Sequence, residues 1–367
     1  MGAVRITTAD GQAVTVTSTT ETVPAWATRY LGSWWTATPT TEIDGPTVSA
    51  DLDDTELQAL AAVVEQGDPE TVEYAGAQLR VARDGALVTA VDEDRSIAYR
   101  WDEEWRLLRI VGTGATELAA AAARLARELL RAQLLADGWH ILHASAVTAP
   151  DGATVLTLGD KGAGKTTTAL TLSRAGWRLL ANDRVFARVE DGVVRVLPWP
   201  SAAAFGFGLL DALDLYETVR TRLASGERMH PTQHPSVTDA LLAGRREPLW
   251  KNNGKELKPQ FWPDQLTAWL SMPLATEGQA VGILYPQITA GAEPRLTEAD
   301  RGVQDRDFFT ADTEDRYPDI FGLLPAPCGH TDLRHHLDTL TSQGLVMGHD
   351  PAANGLVLKE AVNRLGV

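Results

Sequence analysis

The stretch Leu156–Leu170, LTLGDKGAGKTTTAL, constrains the fold of this chain more than any other. Within it, Gly159–Thr166 matches G-x-x-x-x-G-K-[S/T], a loop whose backbone N–H groups surround phosphate oxygens. An apolar, β-branched run, ATVLTL, leads into the loop, and KTTTALTLSRAG leads out at helical spacing and stops at Gly176. Strand, loop and helix in this order belong to an α/β sheet, where ligands collect beyond the carboxyl ends of the strands.

The loop chemistry follows from its residues. Gly162 and Gly164 permit a tight turn, so that successive N–H groups converge on an anion. The helix opening at Lys165 points its positive end the same way. The Lys165 ammonium is expected to reach the terminal phosphates, and the Thr166 hydroxyl to take a place on Mg²⁺. The candidate nucleotide contacts are Gly159, Asp160, Lys161, Gly162, Ala163, Gly164, Lys165, Thr166 and Thr167, with ATP and Mg²⁺ as the expected cofactors. No N-K-x-D segment of the guanine-reading kind is present. A further acid follows soon after, in GWRLLANDRV, where Asp183 lies just past a short apolar strand. That places Asp183 to face a γ-phosphate and its metal.

Order and spacing around the loop extend the signal. The run LHASAV…ATVLTLGDKGAGKTTTALTLSRAGWRLLANDRV resembles the core of HPr kinase/phosphorylase. That family has a His-small-x-x-Val strand, a G-[DE]-S-G-x-G-K-[ST] loop and then R-G-[HW]-x-L-[VL]-A-D-D. Its fold relatives include the phosphoenolpyruvate carboxykinases. The resemblance implies that His143 is an active-site histidine, Lys165 and Thr166 the loop lysine and metal-binding hydroxyl, and Asp183 the second acid of A-D-D. Asn182 stands where the first acid would be, and Lys161 where the loop has serine. The chain better resembles divergent HPr-kinase-like proteins of bacterial peptide-natural-product clusters, some of which phosphorylate serine in a precursor peptide. The resemblance also implies assembly into a homo-oligomer.

The remaining chain supplies the setting. Residues 1–112 read as short strands and turns around one helix starting near Asp53 or Asp54 and stopping at Gly67, a small α+β domain of unknown role. Residues 113–138, rich in alanine and leucine, read as a helix linking it to a catalytic domain over 139–367. The expected fold class is therefore α/β, an HPr-kinase/phosphoenolpyruvate-carboxykinase-like phosphate-loop domain preceded by a mixed domain. Asp191-Gly192 marks a hairpin, helices are expected near 208–224 and 235–243, a strand at AVGILYP, and a C-terminal helix over TDLRHHLDTLTSQG. The segment DRGVQDRDFFTADTEDRYPDIFG reads as a long charged loop. Its Phe308, Phe309 and Tyr317 could meet a peptide, although packing is the commoner role of such residues.

Charge narrows the partners. A net charge of −16 argues against a nucleic-acid-coating protein, and no apolar run is long enough to span a bilayer. Cys328 is alone, so no internal disulfide can form. The first residues lack the pattern of an export signal, and the cytoplasm is the expected compartment. Only six lysines occur, and three of them, 251, 255 and 258, cluster in KNNGKELKPQFWP. Lys255 and Lys258 are therefore candidate contacts for substrate or phosphate, against the plainer reading of a solvated loop. These observations lead to an ATP- and Mg²⁺-dependent kinase acting on a hydroxyl, with serine of a peptide or protein as the expected acceptor. A metabolite kinase, and a nucleotide-binding protein without phosphotransfer, stay open as alternatives.

Overall fold

The structure is a computed structural model that describes residues 2–309 and 318–367. The chain divides into two units, Met1–Trp139 with Thr310–Cys328, and His140–Phe309 with Gly329–Val367.

The first unit is a nine-stranded mixed sheet of β1 (Gly2–Thr7), β2 (Ala13–Ser18), β3 (Thr36–Pro39), β4 (Thr47–Leu52), β5 (Glu70–Tyr74), β6 (Ala77–Asp84), β7 (Leu87–Asp92), β8 (Ile97–Asp102) and β9 (Leu107–Gly112), in the order 3-1-2-4-9-8-7-6-5. The run from β5 to β9 is an antiparallel meander whose turns are locally encoded. Ala75 and Gly76 both adopt positive φ between β5 and β6, and the buried Asp92 carboxylate accepts the Arg95 backbone N–H (3.0 Å) between β7 and β8. Three helices complete the unit: α1 (Thr22–Leu31), α2 (Asp54–Gln66) and α3 (Ala115–Ala136). In α2 the Asp53 side chain accepts the Glu56 N–H (2.8 Å), and Gly67 closes the helix, as the sequence predicts. Leu60 and Val64 pack with Val91, Ala98 and Val111 of the sheet.

The helix expected to link two domains has a different place. α3 packs against α1 and against strands β2, β4 and β9, and its Leu118, Leu125, Leu130 and Leu134 are buried. Each such leucine contributes about 1.5–3 kcal/mol through burial. Arg127 and Arg131 are buried too, both paired to the Glu128 carboxylate at 2.9 and 3.1 Å. A helix with that much enclosed surface is an internal element of the first unit.

The second unit carries the phosphate-loop motif. Its first strands are β10 (His140–Leu142), β11 (Ser145–Thr148), β12 (Ala153–Thr157), β13 (Arg178–Ala181), β14 (Val185–Glu190) and β15 (Val193–Pro198), with α4 (Lys165–Arg174) between β12 and β13. Two short pairs come next, β16 (Ala203–Ala204) with β19 (Gln260–Phe261) and β17 (Leu249–Trp250) with β18 (Glu256–Leu257), among helices α5 (Phe207–Ala212), α6 (Tyr216–Ala224), α7 (Pro235–Leu242) and α8 (Pro263–Ala268). The last elements are β20 (Gly278–Ile288), β21 (Arg295–Thr297), α9 (Thr331–Thr339), β22 (Thr341–Met347) and α10 (Pro351–Arg364). The main sheet runs 10-14-15-20-12-11-13. β20 spends its first three residues on β15 and those from Gly282 onward on β22. Strands β12, β20 and β22 are mutually parallel neighbours through β20, which makes them the buried parallel core.

Several sequence expectations are refined here. The Asp191-Gly192 hairpin forms with both residues at positive φ. The expected helix over 208–224 is two helices, because Asp214 turns to a φ of 57° between them. The C-terminal helix ends at Thr339, and the residues after it extend into β22, buried beside β20. α1 and α10 were not anticipated. Phe308 and Phe309 are buried, so packing is their role, while Tyr317 lies outside the described residues.

Candidate active site

Topology alone collects the candidate residues at one edge of the second sheet. β12 ends at Thr157 and delivers the chain into the loop. β11 runs antiparallel to β12, with Ser145 opposite Thr157, so His143 lies just before β11 at that same edge. β13 is antiparallel to β11 and therefore points the same way as β12. Its carboxyl end carries Asn182 and Asp183 to the loop side.

The loop is shaped by glycine where the backbone demands it. Gly164 has a φ of 111°, and a Cβ there would lie 2.8 Å from Met347 Cε and 2.9 Å from Ile288 Cγ1. Only glycine lets the helix start this close to the ends of β20 and β22. The Ile288 N–H donates to the Ala163 carbonyl (3.1 Å) and fixes the loop to β20. At the mouth, Gly162 takes a φ of 86° with open space beside it. The Lys165 Nζ folds back to donate to the carbonyls of Gly159 (2.6 Å) and Asp160 (3.3 Å). The Thr166 hydroxyl makes one long bond, 3.3 Å, to the Asn182 carbonyl and so tethers α4 to the end of β13.

Electrostatics couples the predicted residues. Burial lowers the proton affinity of Lys165 below that of an ordinary lysine, against the fields of Asp183, Asp307 and Asp160, which favour the ammonium. Burial also lowers the proton affinity of His143. The cations Arg184 and Lys165 add to the effect, and Asp183 and Asp307 oppose it. Asp183 thus acts on both groups, while its own side chain is 63% exposed and lies 3.8 Å from Arg184. His143 is half-buried with its ring 5.1 Å from that of Phe309, and Arg184 lies 4.4 Å over the same phenyl ring. His140, at the start of β10, faces the His330 ring at 6.4 Å.

The His143 shift has a checkable sign. With a folded-state pKa below the ordinary 6.5, the unfolded chain takes the proton more readily. Stability from this group is therefore complete above pH 6.5 and is lost as pH falls towards the folded pKa. An NMR titration of the His143 Cε1 proton, assigned by its loss in His143→Gln, is expected to show a midpoint below 6.5. Arg184→Met should raise that midpoint. A midpoint at or above 6.5 in the unsubstituted protein would contradict the burial described here.

A second group of residues at this edge escaped the sequence reading. Within the charged segment after β21, Asp305–Asp307 form a 3₁₀ turn, and Asp307 is only 3% exposed. Its carboxylate accepts from Arg301 Nη1 (2.5 Å), Arg301 Nη2 (2.8 Å) and the Gln304 N–H (2.9 Å). Its carbonyl accepts the His143 N–H (2.8 Å), and the Phe309 N–H donates to Ile141 (2.8 Å), so this segment lies along β10. A dense run of aspartate and arginine gives no local sign that one carboxylate is buried.

The candidate lysines lie elsewhere. Lys255 is in the exposed turn between β17 and β18, and Lys258 follows β18 and pairs with Glu256 (3.3 Å). That hairpin is a separate two-stranded sheet from the one whose edge carries the loop. Among the described residues no group of three or more His, Cys, Asp or Glu could hold a metal by itself, and no helix is long and apolar enough to cross a membrane.

Fold and site together define a class: a mixed α/β protein with a glycine–lysine–threonine loop, a carboxylate and a histidine at one sheet edge. No protein-family model matches the chain, and no curated protein matches it. Among solved structures it is similar to the Hpr(Ser) kinase/phosphatase from Coxiella burnetii, at 10% identity and a TM-score of 0.26, covering 62% of this chain and 99% of that one. A likeness at that score carries no inference about activity.

Proposed function

We propose that this protein is an ATP- and Mg²⁺-dependent kinase that transfers the γ-phosphoryl group to a hydroxyl, with serine of a peptide or protein as the acceptor. The observation that carries this reading is the convergence of Lys165, Thr166, Asp183 and His143 on one sheet edge. A divalent ion suits the residues present only if it shares its coordination with phosphate, because the protein offers a hydroxyl and one exposed carboxylate there. Mg²⁺ is commonly bound in this way, through one or two protein ligands plus phosphates and water. Thr166 Oγ1 and Asp183 would hold it, and it would offset charge on the phosphates.

The chain's own groups then divide the work. Lys165 releases its loop carbonyls and neutralises the terminal phosphates. Asp183, exposed at the mouth, accepts the proton of the attacking hydroxyl. His143, kept neutral by burial and by Arg184, offers one donor and one acceptor to orient that hydroxyl without adding a second cation. Phosphoryl transfer asks little more of a protein than this positioning and charge compensation.

Incubation with γ-labelled ATP and Mg²⁺ tests the reading, with serine-containing peptides and hydroxyl metabolites as acceptors. Label on peptide serine is expected. Label on a metabolite would move the acceptor to small molecules. Free phosphate alone, or no turnover, would overturn the kinase assignment, and the second outcome would suit Asn182 in place of a second acid.

A further inference from the structure

We infer that Arg306 is a further catalytic residue, an arginine supplied from within the chain that binds the terminal phosphoryl group and distinguishes ATP from ADP. This rests on the nucleotide-binding reading above. The Arg306 guanidinium lies 3.2 Å from the Asp160 carboxylate, which stands on the rim of the loop. Lys165 meets the same residue from its other side, with Nζ 3.3 Å from the Asp160 carbonyl. Both cations therefore contact Asp160, one at its carboxylate and one at its carbonyl, and Lys165 is the group expected to face the terminal phosphates.

The backbone that carries Arg306 is held firmly. Asp307 is locked by Arg301 and Gln304 and tied through its carbonyl to the His143 N–H. On the other side Asp305 pairs with Arg334 (2.7 Å), and the Val303 N–H donates to Asp338 (3.0 Å). A turn anchored at both ends presents its middle residue to the loop. The Arg306–Asp160 pair itself is weakly held, because its side chains are 57% and 66% exposed. Such pairs contribute little to stability, so the guanidinium is free to exchange partners.

Charge explains why it would exchange. A carboxylate on the rim of a polyanion site is unfavourable unless a cation offsets it, and Arg306 offsets Asp160. An incoming γ-phosphate offers two oxygens in the geometry a guanidinium fork matches, which a single carboxylate contact at 3.2 Å does not use fully. ADP lacks those oxygens and leaves Arg306 on Asp160. An arginine contributed from within the same chain is an established way of stabilising phosphoryl transfer.

Calorimetry with ATP and with ADP, each with Mg²⁺, tests the inference. The unsubstituted protein should prefer ATP. Arg306→Ala should lose about tenfold of that preference, in line with one lost charge-assisted contact, while ADP affinity stays within about twofold. Arg306→Lys should keep part of it, and Asp160→Asn should increase it by releasing the guanidinium. An unchanged ATP/ADP ratio in Arg306→Ala overturns the inference and leaves the nucleotide reading standing. Equal losses for both nucleotides overturn it as well, since they point to general damage to the loop. Failure of the unsubstituted protein to bind either nucleotide overturns both.

Discussion

Lys165→Ala is expected to weaken ATP binding by about 100-fold, as befits the loss of a desolvated ammonium with more than one phosphate contact. The position of Lys165 is fixed by the loop backbone itself, through its bonds to the Gly159 and Asp160 carbonyls. Burial has already removed much of its water, and its field partners are three carboxylates, Asp183, Asp307 and Asp160. Phosphate oxygens entering this space meet a partly dehydrated charge, where an electrostatic contact counts for more than it does in open water. The fold should survive the change. The two loop carbonyls released by alanine lie at the loop mouth beside exposed Asp160, Lys161 and Gly162, where water can replace the ammonium. Calorimetry with ATP and Mg²⁺ on folded variant, checked by circular dichroism, gives the answer. Affinity equal to that of the unsubstituted protein would remove the phosphate-loop assignment.

What the sequence made legible at this site shares one property: it is contiguous. Strand, loop, helix, strand and acid follow one another from Ala153 to Asp183, and hairpin geometry then returns His143 to the same edge. The Arg301, Arg306 and Asp307 group comes from a segment more than a hundred residues downstream of the loop, and it reaches the site by lying along β10. Nothing local predicts that pairing. In sequence the run is a charged loop, and the burial of Asp307 is the result of its pairing with Arg301. The same logic explains the errors in the fold. The first residues of β22, TSQG, read as the end of a helix because four residues set no period of their own. Its conformation comes from parallel pairing with β20, and Gly344 is fitted against the carbonyl of Glu298. α1 was missed because TVPAWATRYL is short and aromatic, with Pro24 near its start, and its stability comes from packing against α3. α3 reads as a helix from its sequence, and its packing sets it within the first unit. Alanine and leucine at helical spacing specify the element and say little about which unit encloses it.

Asp183→Asn should lower the rate of phosphoryl transfer by about 100-fold or more, the range expected when a general base is lost. Asparagine keeps the shape of the side chain and the end of β13, where the Asn182 carbonyl holds Thr166, so the loop should remain in place. The charge is what disappears, and it has two duties in the proposed mechanism: taking the hydroxyl proton and sharing in holding Mg²⁺. Single-turnover measurements separate these from simple binding. If Asp183 acts mainly on the proton, transfer collapses while ATP affinity, which rests on Lys165 and the loop N–H groups, changes by less than about tenfold. If it acts mainly on the metal, raising the Mg²⁺ concentration should restore part of the rate. A second readout is independent of turnover. Asp183 now favours the protonated forms of both His143 and Lys165, so its neutralisation should lower the His143 titration midpoint further. A lowered midpoint with near-normal transfer would mean that Asp183 sits where the structure puts it and is not the acid that does the chemistry. An unchanged midpoint together with normal transfer would mean that the carboxylate does not face this site at all.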